Sequence, residues 1–197
     1  MKRVVLMALL MLALPVAAWA SSIDISNSNG TITGGASGLQ TSTASTLNKF
    51  GSIIGSNLGT LSFSTGAFTS GDAQMGGTIA AGGMFTITGN GTSGVPNGAI
   101  FTGSFSGPVD WKLITLADGS HNYTLSGAIS GTWYTGATVV GATTQITLNT
   151  GKDFFNGTVD ISSGNTNIVV PEPGTLGLLG TGLVGIAGLV RRKLSMS

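Results

Sequence analysis

No cysteine occurs among the 197 residues, there is one histidine, and charged side chains make up 8% of the chain. A soluble domain usually carries about 25%. Without cysteine, a disulfide scaffold, a cysteine-ligated zinc site and a thiol nucleophile are all excluded. The few lysines and arginines never cluster on the body of the chain, which excludes the basic surface a nucleic-acid partner needs. What the sequence has in excess is glycine, with 33 residues, set among Ser, Thr and Asn. A chain of this kind must be stabilised by sheet hydrogen bonds and packing, because cross-links are not available to it.

The net charge of +1 hides a segregation. Lys2 and Arg3 stand at the start, and Arg191, Arg192 and Lys193 near the end. Between them, residues 21–170 hold Lys49, Lys112 and Lys152 against Asp24, Asp72, Asp110, Asp118, Asp153 and Asp160, a balance of −3. The basic residues at the ends have the pattern of targeting signals. Lys2 and Arg3 precede the unbroken apolar run Val4–Leu14, Pro15 ends it, and Ala18-Trp19-Ala20 offers a small-x-small cleavage site. Residues 1–20 therefore read as a secretory signal helix cut after Ala20, implying signal peptidase and the export machinery as partners.

At the other end, Pro171-Glu172-Pro173 precedes the uncharged segment Gly174–Val190, which Arg191, Arg192 and Lys193 close. As a helix, that segment would cover about 26 Å, the short limit of a bilayer span. The three cations would stay on the cytoplasmic side as a stop, leaving residues 194–197 as a short cytoplasmic tail. The prolines disfavour helix and hold Glu172 in extended chain beside the membrane.

In the body, apolar residues recur at period two and no helical period is found, so the fold expected is all-β: a Gly/Ser/Thr-rich antiparallel sandwich or barrel-like domain over residues 49–161. Residues 21–48 carry few large apolar side chains and leave room for a mobile arm; residues 162–170 read as a stalk. Phe63, Phe85, Ile87, Phe101 and Phe105 are expected on strands, with Gly89-Asn90-Gly91 as one of the turns between them. From residue 109 onward a five-stranded meander can be laid out. A loop at Asp118-Gly119-Ser120 pairs Thr115 with Tyr123, Leu113 with Leu125 and Trp111 with Gly127. Further turns fall at Ser130-Gly131-Thr132, Gly141-Ala142 and Gly151-Lys152, the last setting Leu148 opposite Phe155. Asn122, Thr124, Ser126, Gln145, Thr147 and Asn149 then share an outer polar face.

The C-terminal constellation Val170-Pro171-Glu172-Pro173-Gly174-Thr175, the Leu/Gly-rich segment and the terminal Arg-Arg-Lys resemble the PEP-CTERM sorting signal of Gram-negative bacteria. The resemblance covers about 27 residues and implies a partner, an exosortase, that cuts near Pro171-Glu172-Pro173 and passes the body on. The implied itinerary is a precursor tethered transiently in the inner membrane, then the cell surface or extracellular matrix. It implies nothing about the body itself.

No catalytic set emerges from the body. His121 sits beside a turn and reads as solvated. Six aspartates without a glutamate give no placed carboxylate pair of the kind a glycosidase uses. The donors of Asp118–Asn122 lack the spacing of a calcium loop. The reading is therefore a non-enzymatic, structural protein without cofactor or metal, with exopolysaccharide as a candidate partner. The alternative is a carbohydrate- or calcium-binding module using Trp111, Trp133 or Tyr134, of which Tyr134 is the best exposed candidate. A hydrolase ranks third.

Overall fold

The structure, a computed structural model, describes residues 21–170; the signal helix expected at 1–20 and the membrane helix expected after Pro173 lie outside the described residues. Residues Ser22–Val170 form one compact unit made of strands, with no helix among the described residues.

Fourteen strands combine into eight long, bent staves. The first is β1 (Ser21–Ser28) continued by β2 (Thr31–Gly35), and the second is β3 (Gly38–Thr43) continued by β4 (Ser45–Phe50), with β5 (Ile53–Ile54) folding back on its end. Register carries through each bend: Ser28 faces Thr46, and Thr31 faces Thr43. The third stave is β6 (Gly59–Phe63) with β7 (Phe68–Asp72), the fourth β8 (Gly76–Ile79) with β9 (Gly82–Asn90), and the fifth β10 (Asn97–Phe105) with β11 (Val109–Thr115). β12 (His121–Trp133), β13 (Thr138–Asn149) and β14 (Thr158–Val170) complete the set. Each stave pairs antiparallel with the next, and the last lies against the first, where Asn167 accepts a hydrogen bond from Ser22 and Asp24 accepts one from Asn165. This is an up-and-down eight-stranded barrel, in which closure removes the exposed edges that invite aggregation.

The expected antiparallel meander is present, but it runs through the whole body. Residues 21–48 are not an arm: Ile25, Ile32, Leu39 and Leu47 are buried in the core. Residues 162–170 are not a stalk either, because they belong to β14, and Ile168 and Val170 are buried. Both segments are short of large apolar residues, yet alternate ones suffice when closure supplies neighbours on both edges. No second sheet packs over the meander; the same sheet curls round to meet itself.

Three turns expected from glycine are corrected. Ser130-Gly131-Thr132 lies inside β12, with Gly131 facing Gly103 across the ladder. Gly141-Ala142 lies inside β13, where Gly141 adopts φ +71° at a bulge opposite Ile129 and Gly131. Gly151-Lys152 belongs to a longer loop, and Leu148 faces Ile161 rather than Phe155. Glycine within a strand often marks a bulge or a close backbone approach instead of a reversal. Four strands therefore cover residues 109–170, not five. Gly89 and Asn90 likewise end β9, and the turn follows them.

The 118–120 hairpin differs by two residues. Thr115 faces His121, Leu113 faces Tyr123 and Trp111 faces Leu125. The loop residues are Ala117-Asp118-Gly119, closed by a hydrogen bond from the Gly119 amide to the Leu116 carbonyl. That places Gly119, at φ +82°, in the third loop position, where a left-handed residue is needed. A slip of two preserves the face of every side chain, so Trp111, Tyr123 and Leu125 still point inward.

The interior is filled by side chains. Phe63, Phe85, Phe101 and Phe105 pack with ring centroids 5.7 to 6.3 Å apart, mostly edge to face. Towards one end, Trp111 stacks on Tyr123 at 5.0 Å and meets Phe155 edge-on at 5.7 Å. Loops 73–75, 116–120 and 150–157 lie at that end. Both termini of the barrel, with loops 51–58, 91–96 and 134–137, lie at the opposite end.

Candidate functional site

Alternation along the staves puts apolar residues inside and leaves the outer face of β12, β13, β14 and β1 polar. Ser126 faces Gln145, which faces Asn165; Thr124 faces Thr147, which faces Ser163. Two irregularities then dent this face. β1 shifts register between Ser26 and Asn27, and β14 shifts where Ser163 gives way to Ile161. A bulge adds a residue on one strand and bends it. Gly127 and Gly164 lie at the same place and contribute no side chains. The result is a groove of about 730 Å³ bordered by Ser26, Ser28, Asn48, Ser126, Thr143, Gln145, Thr147, Ser162, Ser163 and Asn165.

The floor is also polar. Asn27 is buried at 1% exposure and its Nδ2 donates to Ser45 Oγ at 2.6 Å, while Ser45 Oγ donates to the Ser28 carbonyl at 3.0 Å. This chain of donors fixes the amide orientation, and Asn27 Oδ1 is left without a hydrogen-bond partner. Beside it the hydroxyls of Thr144 and Thr166 bond to each other at 2.9 Å. Gly164 leaves room for this amide: a Cβ on it would lie 2.3 Å from Asn27 Oδ1 and push the Asn27 side chain out of its place.

Charge enters only beyond the rim. Lys49 Nζ donates to Asp24 Oδ2 at 2.7 Å, and Asn165 Nδ2 donates to Asp24 Oδ1 at 2.6 Å. The Lys49 hydrogen bond, helped by Asn165 and opposed by partial burial, holds the Asp24 carboxyl below its ordinary value of 3.8. A depressed carboxyl contributes stability that is present above the unfolded value and is lost as pH falls through the folded one. Since both partners are more than a third exposed, the contribution is at most about 1 kcal/mol. Thermal melts of the Asp24→Asn variant should match wild type at low pH and fall slightly below it at neutral pH.

The residues singled out in the sequence lie elsewhere. Trp111 and Trp133 are buried, at 1% and 3% exposure, so neither can stack on a ligand. Tyr134 is 53% exposed, in the loop after β12 at the end where the termini emerge, and not in the groove. His121 is not solvated. It is buried at the head of β12, with Nδ1 3.1 Å from Thr115 Oγ1 and its ring stacked on Phe154 at 4.3 Å. Asp118 caps its own turn by accepting from the Ser120 amide and hydroxyl, and those bonds lower its pKa. Among the described residues no three His, Asp or Glu side chains converge on a common point. Ala18, Ala20, Pro171, Glu172, Pro173, Arg191, Arg192 and Lys193 all lie outside the described residues.

The outer polar ladder was legible as an alternation in residues 122–126 and 145–149, but the groove was not. Its bulges lie in β1, against β4, and in β14, against β13, and the groove forms only where barrel closure sets β14 beside β1.

The body is thus a closed antiparallel barrel with a mainly apolar interior and a neutral, hydroxyl- and amide-rich outer groove. Residues 169–193 match the family model of the PEP-CTERM protein-sorting motif, and the match begins on the last two residues of β14. The chain carries that sorting motif, which implies export, a membrane-anchored precursor and sorting by an exosortase. No curated protein and no solved structure matches the chain.

Proposed function

We propose that this is a non-catalytic protein of the cell surface or extracellular matrix that associates with exopolysaccharide once its C-terminal tether has been cut near Pro171-Glu172-Pro173. The groove of about 730 Å³ is the observation that carries this reading. Its side chains are hydroxyls and amides, each able to donate and accept. Such an array suits a neutral polyhydroxylated chain, whose hydroxyls exchange water for many weak bonds of about 1 kcal/mol each. It suits acid–base chemistry poorly, since no titratable side chain borders it. Low body charge adds a second support, for it limits repulsion within a dense polymer layer.

The test is co-sedimentation of the processed protein, purified from the cell surface, with the neutral exopolysaccharide of the producing cells. The paired substitutions Gln145→Ala and Asn165→Ala should lower the bound fraction several-fold while leaving the melting temperature nearly unchanged. Equal binding by variant and wild type would remove the groove from the interaction. Mass spectrometry of the same preparation should show the chain ending near Pro171-Glu172-Pro173.

A further inference from the structure

The geometry points to the end of the barrel where both termini emerge as a lipid-contacting rim that rests on the membrane while the precursor is still tethered. This inference concerns a different surface from the groove and does not depend on glycan binding.

Three observations converge on it. First, β14 runs to Val170, whose side chain is buried, and only Pro171, Glu172 and Pro173 separate it from the apolar segment beginning at Gly174. Whatever their conformation, the four Cα–Cα steps from Val170 to Gly174 reach no further than about 14 Å. With that segment in a bilayer, the tether holds the rim within about 14 Å of the hydrocarbon boundary, at the headgroup level or just above it.

Second, the rim exposes apolar side chains. Ile54 is 80% exposed, Val140 75%, Tyr134 53% and Val169 43%. They come from β5, the start of β13, the loop after β12 and the end of β14, all at the end of the barrel where the chain exits. Tyrosine among aliphatic residues is the composition favoured at a membrane–water interface.

Third, charge is distributed to match. Among the described residues, the only charged side chains near this rim are Asp24 and Lys49, which neutralise each other at 2.7 Å. The other half of the barrel holds Asp72, Asp110, Asp118, Asp153 and Asp160 against Lys112 and Lys152, a balance of −3. That end also exposes Met75, Ile114, Leu116 and Phe154, but among carboxylates that an anionic lipid surface repels. Among the described residues only this end is both apolar and neutral, and it is the end the tether pulls towards the bilayer.

The absence of cysteine makes the test direct. Single substitutions Ile54→Cys, Val140→Cys, Met75→Cys and Leu116→Cys, all at exposed positions, accept a fluorophore in the full chain. The labelled chain is reconstituted into vesicles of phosphatidylcholine and phosphatidylglycerol containing lipids with nitroxide headgroups. Labels at 54 and 140 should be quenched several-fold more than labels at 75 and 116. Equal quenching at the two ends would overturn the proposal. So would quenching at 54 and 140 that arises only when exosortase is added to the vesicles, since the rim would then serve the enzyme instead of the lipid.

Discussion

Replacing Gly131 by alanine should destabilise the barrel by about 4 kcal/mol, combining overpacking with broken ladder bonds. Gly131 of β12 faces Gly103 of β10. A Cβ on Gly131 would lie 2.2 Å from the Thr102 carbonyl oxygen and 2.5 Å from Gly103 Cα. The obstruction is backbone, so no rotamer change relieves it. The two strands must part, and the ladder from Phe101–Trp133 to Phe105–Ile129 is strained with them. A domain of this size has roughly 5–15 kcal/mol in total, so the loss is a large share of it. Urea denaturation should show the midpoint falling sharply. Gly107→Ala is the control: nothing lies within 4 Å of its Cβ, and its effect should stay within about 0.5 kcal/mol. A Gly131→Ala midpoint equal to the control would show that the strands can separate freely there.

Trp111→Ala is the second large effect, expected to cost about 4 kcal/mol through lost burial and the cavity left behind. Trp111 is almost fully buried, stacks on Tyr123, meets Phe155, and its Nε1 donates to the Ala73 carbonyl at 2.8 Å. It shares with Tyr123 the task of pinning two loops. Tyr123 Oη donates to the Gln74 carbonyl at 2.6 Å and accepts from the Phe155 amide at 3.1 Å. Burial raises the Tyr123 pKa, which keeps the phenol protonated and able to donate. Tyr123→Phe keeps the ring but leaves both backbone groups without that partner, which should cost about 1–3 kcal/mol. Hydrogen exchange separates the cases. In Tyr123→Phe the Phe155 amide should exchange faster while the β9 and β10 ladders stay protected. In Trp111→Ala protection should fall throughout. Uniform loss in both variants would mean the loops and the barrel open as a single unit.

What the sequence determined by itself was information held in short, contiguous stretches. The sorting motif at residues 169–193 is one such stretch, legible because its parts act in linear order. The all-β class is another, because Phe85 and Ile87, or Ile146 and Leu148, alternate with polar residues within a few positions. The inward facing of Trp111 and Tyr123 survived an error of two in register for the same reason: the side-chain period is two.

Closure was decided only by the tertiary structure. Nothing local to residues 21–35 says that they complete a barrel, since the partner that buries Ile25 and Ile32 includes β14, reached through pairs such as Ser22 with Asn167. Nor can a lone glycine announce whether it turns the chain, as Gly119 does, or lets two backbones meet, as Gly131 does with Gly103. That depends on what stands across the sheet, and the groove and the rim depend on it equally. Each is assembled from strands and loops far apart in sequence, brought together when the eighth stave finds the first.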